Sequence, residues 1–124
     1  MKIHHVGIVC KNIEKAIANY EKFFNVIDKT GIIYDPLQNA SLCMLKTDTG
    51  LDVEFISGGQ VAGLPKGTTY YHVCYEVSDL KAEMKRFEDN GALIVSSPKP
   101  AVLFDGRLVT FLLIKSGLVE LLEM

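Results

Sequence analysis

The sequence contains an internal repeat, and this feature restricts the possible folds most because two copies of a motif predict two copies of one structural unit. The segment HVGIVCKNIEKAIANYEKF begins at His5, and HVCYEVSDLKAEMKRFEDN begins at His72. Seven residues after each histidine comes a helix-capping residue, Asn12 or Asp79. Apolar residues at helical spacing follow in both copies, so each copy predicts a strand and then an amphipathic helix.

The ends of the two halves also match. TGLDVEFI, from residue 49 to 56, is similar to SGLVELL, from residue 116 to 122. Glu54 follows His5 by 49 positions, and Glu120 follows His72 by 48. The repeat therefore covers a histidine near the start and a glutamate near the end of each half.

Each half predicts one strand, one helix and three further strands. We expect an α+β domain of residues 1–124 built from paired βαβββ modules. Module 1 covers about 1–58, the linker about 59–68 and module 2 about 69–124, with a loop at 96–106 that contains two prolines. The predicted strands are 3–10, 26–34, 40–47, 51–57, 70–77, 92–96, 107–114 and 117–123, and the predicted helices are 13–24 and 80–90.

The four repeated ionisable residues are candidate metal ligands. Successive strand residues point to opposite faces, so His5, Glu54, His72 and Glu120 each lie opposite apolar residues expected to pack on a helix. A divalent cation would satisfy these two imidazoles and two carboxylates if the sheets bring them together. The mixed nitrogen and oxygen set suits Zn, Ni, Co, Mn or Fe better than Ca or Mg.

Simpler interpretations remain open for each ligand. His5 could be a core histidine or could be replaced as a ligand by His4, and the two glutamates could be surface residues of edge strands. Cys74 lies two residues after His72, so it is a further candidate ligand, although a small buried residue is the simpler interpretation.

The composition limits the kinds of partner that the protein is expected to bind. The 124-residue chain has a formal net charge of −2 and lacks a basic run, which argues against nucleic acid and anionic membranes. No apolar run approaches the length of a membrane span. The three cysteines form no CxxC pair, which favours a reducing compartment, and we expect a cytoplasmic protein.

These residues resemble the vicinal oxygen chelate superfamily, which includes glyoxalase I, bleomycin-resistance proteins and extradiol dioxygenases. IHHVGIVCKNIEKAIANYEKFF, YYHVCYEVSDLKAEMKRFEDNGALIV and RLVTFLLIKSGLVELLE are most similar to its methylmalonyl-CoA epimerase-like members. The resemblance implies that the paired βαβββ modules form a cup-shaped mixed β-sheet around a metal site. It also implies that the two histidines and two glutamates of the repeat stand at the metal-ligand positions. It also implies an enzyme that moves a proton beside a carbonyl, with Glu120 and Glu54 as candidate catalytic residues.

The sequence departs from the epimerase pattern at a second acid/base position, where Gln38 stands in place of a glutamate. Glutamine cannot exchange a proton at neutral pH, so two-base epimerisation is in question, although Gln38 could orient a substrate oxygen. A glycine- and His-containing segment of the epimerases is also replaced, by SSPKPAVLFDGRL. In this segment Lys99 and Arg107 are candidates for binding an anionic substrate group, and a solvated surface role is the alternative.

Three functions remain open from the sequence. An epimerase or isomerase acting on a small acyl thioester is the first. A glyoxalase I-like lactoylglutathione lyase and a small-molecule-binding protein of the resistance type are the alternatives. The resemblance also favours a homodimer, because cup-shaped relatives commonly pair.

Overall fold

The computed structural model describes residues 1–124 apart from the side chain of Gln60. In chain order its elements are β1 (Lys2–Val9), α1 (Ile13–Tyr20), β2 (Val26–Lys29), β3 (Ile33–Asp35), β4 (Ala40–Thr47), β5 (Asp52–Ser57), α2 (Gly59–Ala62), β6 (Tyr70–Val77), α3 (Leu80–Asp89), β7 (Leu93–Pro100), β8 (Leu108–Ile114) and β9 (Gly117–Glu123). A short 3₁₀ turn covers Val102–Phe104. The chain forms two compact units, of which the first is His5–Tyr71 and the second is His72–Met124 with Met1–His4.

The first unit is a mixed sheet with strand order β2-β4-β5-β1, and β3 also pairs with β4. Strands β1 and β5 are parallel, whereas β4 is antiparallel to β2, β3 and β5. Helix α1 begins after Asn12, whose side chain accepts a hydrogen bond from the Lys15 N–H at 2.9 Å. This bond satisfies one of the amides that a helix start leaves without a helical partner.

One face of the first sheet packs on α1. The buried members of this core are Ile13, Cys43, Leu45, Val53 and Phe55. Val53 and Phe55 flank Glu54 in sequence, so strand alternation directs the glutamate to the other face. The apolar face therefore holds the helix, and the opposite face is available for the ionisable residues.

The second unit repeats this arrangement with strand order β6-β9-β8-β7. Strands β6 and β9 are parallel, and the pairs β8–β9 and β7–β8 are antiparallel. Helix α3 begins after Asp79, which accepts a hydrogen bond from the Ala82 N–H at 3.0 Å. The core under this helix includes Val77, Leu80, Ala92, Leu112, Val119 and Leu121.

The α+β class and the duplicated strand and helix pattern predicted from the sequence are confirmed, but several boundaries were wrong. The predicted strand 26–34 is two strands, β2 and β3, separated by residues 30–32. Helix α1 ends at Tyr20 rather than near residue 24, and the predicted linker contains the short helix α2.

The predicted loop 96–106 is also wrong in its first part, because β7 continues to Pro100. This strand lies at the end of the strand order of its unit and pairs with β8. An edge strand has one row of backbone groups outside the ladder, so it tolerates prolines that a central strand would exclude. The pairing of β7 with β8 also shifts register twice, as expected where the ladder is irregular.

Candidate metal centre

The first unit places His5 next to Glu54. In the parallel pairing of β1 with β5, Glu54 lies opposite Gly7, two residues after His5. Residues two apart on a strand share a face, so both side chains project from the same side of the sheet. His5 Nε2 lies 3.6 Å from Glu54 Oε1. His5 is 0% exposed and Glu54 is 4% exposed, so the pair is buried.

The second unit builds the same pair with the same register. In the parallel pairing of β6 with β9, Glu120 lies opposite Cys74, two residues after His72. His72 Nε2 lies 3.7 Å from Glu120 Oε2. His72 is 4% exposed and Glu120 is 2% exposed. The ring of Phe111, the β8 residue opposite Glu120, meets the His72 ring edge-on at a centroid distance of 5.2 Å.

Each pair presents one imidazole nitrogen and one carboxylate oxygen, donors that first-row transition metals accept. The separations of 3.6 Å and 3.7 Å exceed the usual N–H···O hydrogen-bond distance. Two atoms that bind one cation at about 2.1 Å each lie at most about 4.2 Å apart, and both separations are within this limit. The donor chemistry, the burial and the spacing within each pair therefore fit a metal ligand set.

The two other candidate ligands, His4 and Cys74, belong to the second unit. His4 is partly exposed, and its ring meets Phe104 edge-on at 5.1 Å. Cys74 is fully buried and lies opposite Glu120, so it shares the sheet face of the second pair. Its role as a ligand stays a prediction. All three cysteines are thiols. Burial raises the pKa of Cys10, and the nearby Cys43 raises it further, so Cys10 is a poor nucleophile at neutral pH.

Gln38 lies in the turn between β3 and β4, where it contacts a carboxylate that the sequence analysis did not identify. Its side-chain amide donates a hydrogen bond of 3.0 Å to Asp35, and the Leu37 N–H donates to the same carboxylate at 3.0 Å. Asp35 is 2% exposed. It lies opposite Ala40 of β4. The only sequence signal was the turn-forming run YDPLQN, which indicates a turn and not a buried carboxylate.

Asp35 shares the sheet face of the first pair. Met44 of β4 lies opposite Glu54, and Ala40 is an even number of residues from Met44 on the same strand. Since residues opposite each other in a ladder point to the same face, Asp35, Ala40 and Glu54 are on one side of the first sheet. Counting along β4 places Asp35 roughly four residues, or about 13 Å, further along the strand direction than Glu54.

Arg107 is bound to another side chain of the second unit. Its Nη1 donates a hydrogen bond of 2.7 Å to Glu76 and one of 3.5 Å to the backbone carbonyl of Glu123. The Arg107 hydrogen bond lowers the pKa of Glu76, although burial opposes this change; the charges of Arg107, His4 and Lys2 lower it further. Lys99 lies on β7 and is partly exposed. Substrate contacts of Arg107 and Lys99 stay predictions.

Two units, each with mixed strand pairing and a buried histidine and glutamate in identical register, define a duplicated α+β protein with one candidate metal-ligand pair in each unit. The family model of the glyoxalase/bleomycin resistance protein/dioxygenase superfamily matches residues 4–111. The chain belongs to this superfamily, as its resemblance to the vicinal oxygen chelate proteins implied. The match includes His5, Glu54 and His72 but ends before Glu120.

Relatives in sequence and structure include epimerases. The chain is 27% identical over 119 residues to an ethylmalonyl-CoA/methylmalonyl-CoA epimerase of Cereibacter sphaeroides, with 90% of this chain and 87% of that protein covered. A hypothetical protein of Bacillus halodurans has a TM-score of 0.78 at 20% identity, covering 99% of this chain and 94% of that one. The methylmalonyl-CoA epimerase of Mycobacterium tuberculosis has a TM-score of 0.77 at 19% identity, covering 98% and 87%.

A third structural neighbour was solved with a bound small molecule. The Streptomyces coelicolor methylmalonyl-CoA epimerase, in complex with 2-nitronate-propionyl-CoA, has a TM-score of 0.76 at 20% identity, covering 99% of this chain and 96% of that one. At these identities the structural neighbours establish the fold. Among the described residues, no helix is both long and apolar enough to cross a membrane.

Proposed function

We propose that this protein is a metal-dependent epimerase that moves a proton beside the carbonyl of an acyl-CoA thioester. One divalent cation, Zn, Ni, Co, Mn or Fe, would be held by His5, Glu54, His72 and Glu120. The observation that carries the proposal is the repeated register, which gives each unit a buried imidazole and carboxylate 3.6 Å or 3.7 Å apart. The similarity to an ethylmalonyl-CoA/methylmalonyl-CoA epimerase supports the reaction class.

A divalent cation would balance the charges of the proposed ligands. Two buried carboxylates carry two negative charges, and burying such charges is costly without a cation. A divalent cation offsets both charges while both imidazoles stay neutral. When bound, such a cation acts as a Lewis acid that polarises the substrate carbonyl and stabilises the negative charge that develops on its oxygen.

The chain itself supplies the proton-transfer groups and the dry surroundings. We assign Glu120 as the base that accepts the α-proton at a carboxylate oxygen, with Glu54 as the second candidate. Glu120 lies between Cys74 and Phe111 on the neighbouring strands. These residues are almost completely buried, at 0% and 5% exposed, so they keep water away from the carboxylate.

Gln38 has a different role in this proposal. Because its amide donates to Asp35, its side-chain orientation is fixed. We propose that the free side of the Gln38 carboxamide orients a substrate oxygen or amide and takes no part in proton exchange. Epimerisation also requires that a proton return to the opposite face of the planar carbanion, and Glu54 is the candidate group for this step.

The first experiment is deuterium exchange at the substrate α-carbon. Metal-loaded protein is incubated in heavy water with a 2-methyl-branched malonyl-CoA or another α-branched acyl-CoA, and mass spectrometry follows the deuterium content. We expect exchange by the parent protein and a loss of at least about a hundredfold in Glu120→Gln, as is typical of a removed general base. Glu88→Gln is the matched control, because Glu88 is an exposed α3 residue of the same unit.

The alternatives have distinct results in the same assays. Absence of exchange with any thioester, together with turnover of methylglyoxal and glutathione, would replace the epimerase by a lactoylglutathione lyase. Absence of a stoichiometric metal in untagged protein, measured by inductively coupled plasma mass spectrometry, would favour a resistance-type binding protein. A metal-binding defect in His5→Gln or His72→Gln, but not in His4→Gln, would support the proposed ligand set.

We also propose that the protein is a homodimer. The chain exposes large apolar side chains in and next to the edge strand of the first unit, among them Phe23, Phe24 and Ile27. Exposed edge strands and apolar groups favour pairing with another chain. Light scattering at micromolar concentration should give twice the 13.7 kDa chain mass, and a stable monomer would refute this part of the proposal.

A further inference from the structure

The first unit contains a cavity of about 380 Å³ at one end of the strands that carry His5 and Glu54. This volume lies within the range of small-molecule sites, roughly 300–1,000 Å³. We call it the linker cavity, because residues 58–68 form much of its wall. The residues that line it are Val9, Cys10, Lys11, Gly58, Val61, Ala62, Leu64, Pro65, Lys66, Gly67 and Thr68.

The location of the linker cavity relates it to the proposed centre. Val9 ends β1, and Gly58 follows the last residue of β5, so the cavity lies at the carboxyl ends of two parallel strands. Ligands of open α/β sheets commonly bind outside these ends. Val9 also lies on the sheet face of His5, four residues or roughly 13 Å further along the strand. A ligand that reaches from the first histidine and glutamate pair to the linker cavity must therefore extend over roughly 13 Å.

The lining of the linker cavity has a defined chemical character. Most of its described lining side chains are apolar, and two are lysines, Lys11 and Lys66. None of the described lining residues is acidic. Within the part of the chain that the structure describes, neither lysine forms an ion pair, and both are exposed. The cavity therefore offers an apolar wall and two uncompensated positive charges, which favour a ligand with an apolar stem and an anionic end.

We propose that the linker cavity binds the phosphate-bearing part of the acyl-CoA substrate, with Lys11 and Lys66 contacting phosphate oxygens. The inference rests on the proposed function for the identity of the substrate. The lysines are then specificity-determining residues, because they bind a part of the substrate remote from the reacting carbon. They should lower KM for phosphate-bearing thioesters and leave the chemistry at the α-carbon unchanged.

The decisive test measures the binding of free coenzyme A, which has no acyl group, to protein treated with a chelator. Isothermal titration calorimetry then measures coenzyme A binding to the cavity in the absence of metal and of turnover. We expect Lys11→Ala and Lys66→Ala to weaken binding by roughly two- to fivefold each, and the double variant by about tenfold. Lys22→Ala, an exposed lysine of the same unit that does not line the cavity, should bind as the parent does.

Two further variants separate charge from shape. A Lys11→Arg/Lys66→Arg protein keeps both charges and should keep an affinity within about twofold of the parent. Ala62→Trp adds a bulky group to a lining position and should weaken coenzyme A binding although both lysines remain. Equal affinities in the parent and the double alanine variant, or no binding of coenzyme A at all, would overturn the cavity assignment.

Substrates with and without phosphates distinguish a wrong cavity assignment from a wrong proposed function. With a short N-acetylcysteamine thioester, which lacks phosphates, the double alanine variant should exchange the α-proton at the parent rate. With the acyl-CoA its KM should rise about tenfold at unchanged kcat. Exchange with both substrates and unchanged KM would refute the cavity assignment alone. Lysine-dependent coenzyme A binding without any exchange would refute the epimerase and leave the cavity assignment supported.

Discussion

The ion pair between Arg107 and Glu76 should contribute measurably to the stability of the second unit, and the contribution should disappear in acid. Arg107 Nη1 lies 2.7 Å from Glu76 Oε2, and the two side chains are 32% and 15% exposed. Hydrogen bonds to charged groups contribute about 1.5–3 kcal/mol, and fully exposed ion pairs contribute about 0–1 kcal/mol. Solvent screening of this partly buried pair places Arg107→Ala between these limits, at a loss of about 1–2 kcal/mol at pH 7.

The sign of the pH dependence follows from Glu76. Its pKa in the folded protein is lowered by the hydrogen bond from Arg107, so the ionised form is favoured on folding. The stabilisation is therefore fully present above the pKa of an unfolded glutamate, about 4.3, and is lost as the pH falls through the lower folded value. The difference in the free energy of unfolding between the parent and Arg107→Ala should therefore decrease as the pH falls from 5 to about 3.

Urea unfolding at pH 7 and at pH 3 measures this difference. Lys115→Ala, which removes an exposed cation of the same unit, should change stability by less than about 0.5 kcal/mol at either pH. A double-mutant cycle with Glu76→Gln isolates the pairwise part. An equally large loss at both pH values would mean that Arg107 acts by packing its aliphatic stem, and a loss below about 0.5 kcal/mol at pH 7 would refute the reasoning.

Three further predictions concern the core, a helix cap and a thiol. Leu112→Ala should lower the free energy of unfolding by about 2–5 kcal/mol in denaturant titrations, because Leu112 is 0% exposed in the core beneath α3. Asp79→Ala should cost about 1 kcal/mol in the same assay, since its carboxylate caps α3; Lys81→Ala should cost much less. Alkylation of Cys10 by iodoacetamide should be slower at pH 7.5 than that of a free thiol peptide and should accelerate as the pH rises through its raised pKa; equal rates would contradict the burial effect.

The repeat made much of the fold predictable. A histidine strand followed by a capped helix appears twice in the sequence, and both caps form the expected hydrogen bonds, Asn12 to Lys15 and Asp79 to Ala82. The apolar alternation around Glu54 correctly predicts which residues pack beneath the helix. Local patterns of this kind work because the side-chain period of each element fixes which face is buried.

Features that depend on distant pairing were less predictable. One strand is predicted over 26–34, VIDKTGIIY, but its two parts pair with β4 at different positions and a break separates them. Pro98 and Pro100 predict a loop, although pairing with β8 holds them in an edge strand. Their sequence signals are local, whereas the outcome depends on which strand lies alongside.

The shared position of the two linker-cavity lysines could not be predicted from the sequence. Lys11 directly precedes the cap of α1, and Lys66 lies 55 positions later in a segment with Pro and Gly neighbours. Each alone predicts a solvated surface cation. Their shared position on one cavity arises from the path of residues 58–68, which no periodic pattern specifies. The same limit applies to Asp35, whose burial depends on its pairing with β4.

The unequal spacing of the two histidine and glutamate pairs has a structural explanation. Strand β4 ends at Thr47 and β5 begins at Asp52, whereas β8 ends at Ile114 and β9 begins at Gly117, so the first hairpin has the longer loop. A residue added within β5 would instead turn Glu54 to the helix face, since a one-residue slip reverses every side chain of a strand. The first loop is two residues longer, and Glu54 lies one residue nearer the start of its strand than Glu120 does, so the net difference is one residue. Glu54 and Glu120 therefore keep the same position relative to their histidines. Register, rather than spacing along the chain, is therefore the property that the two units share.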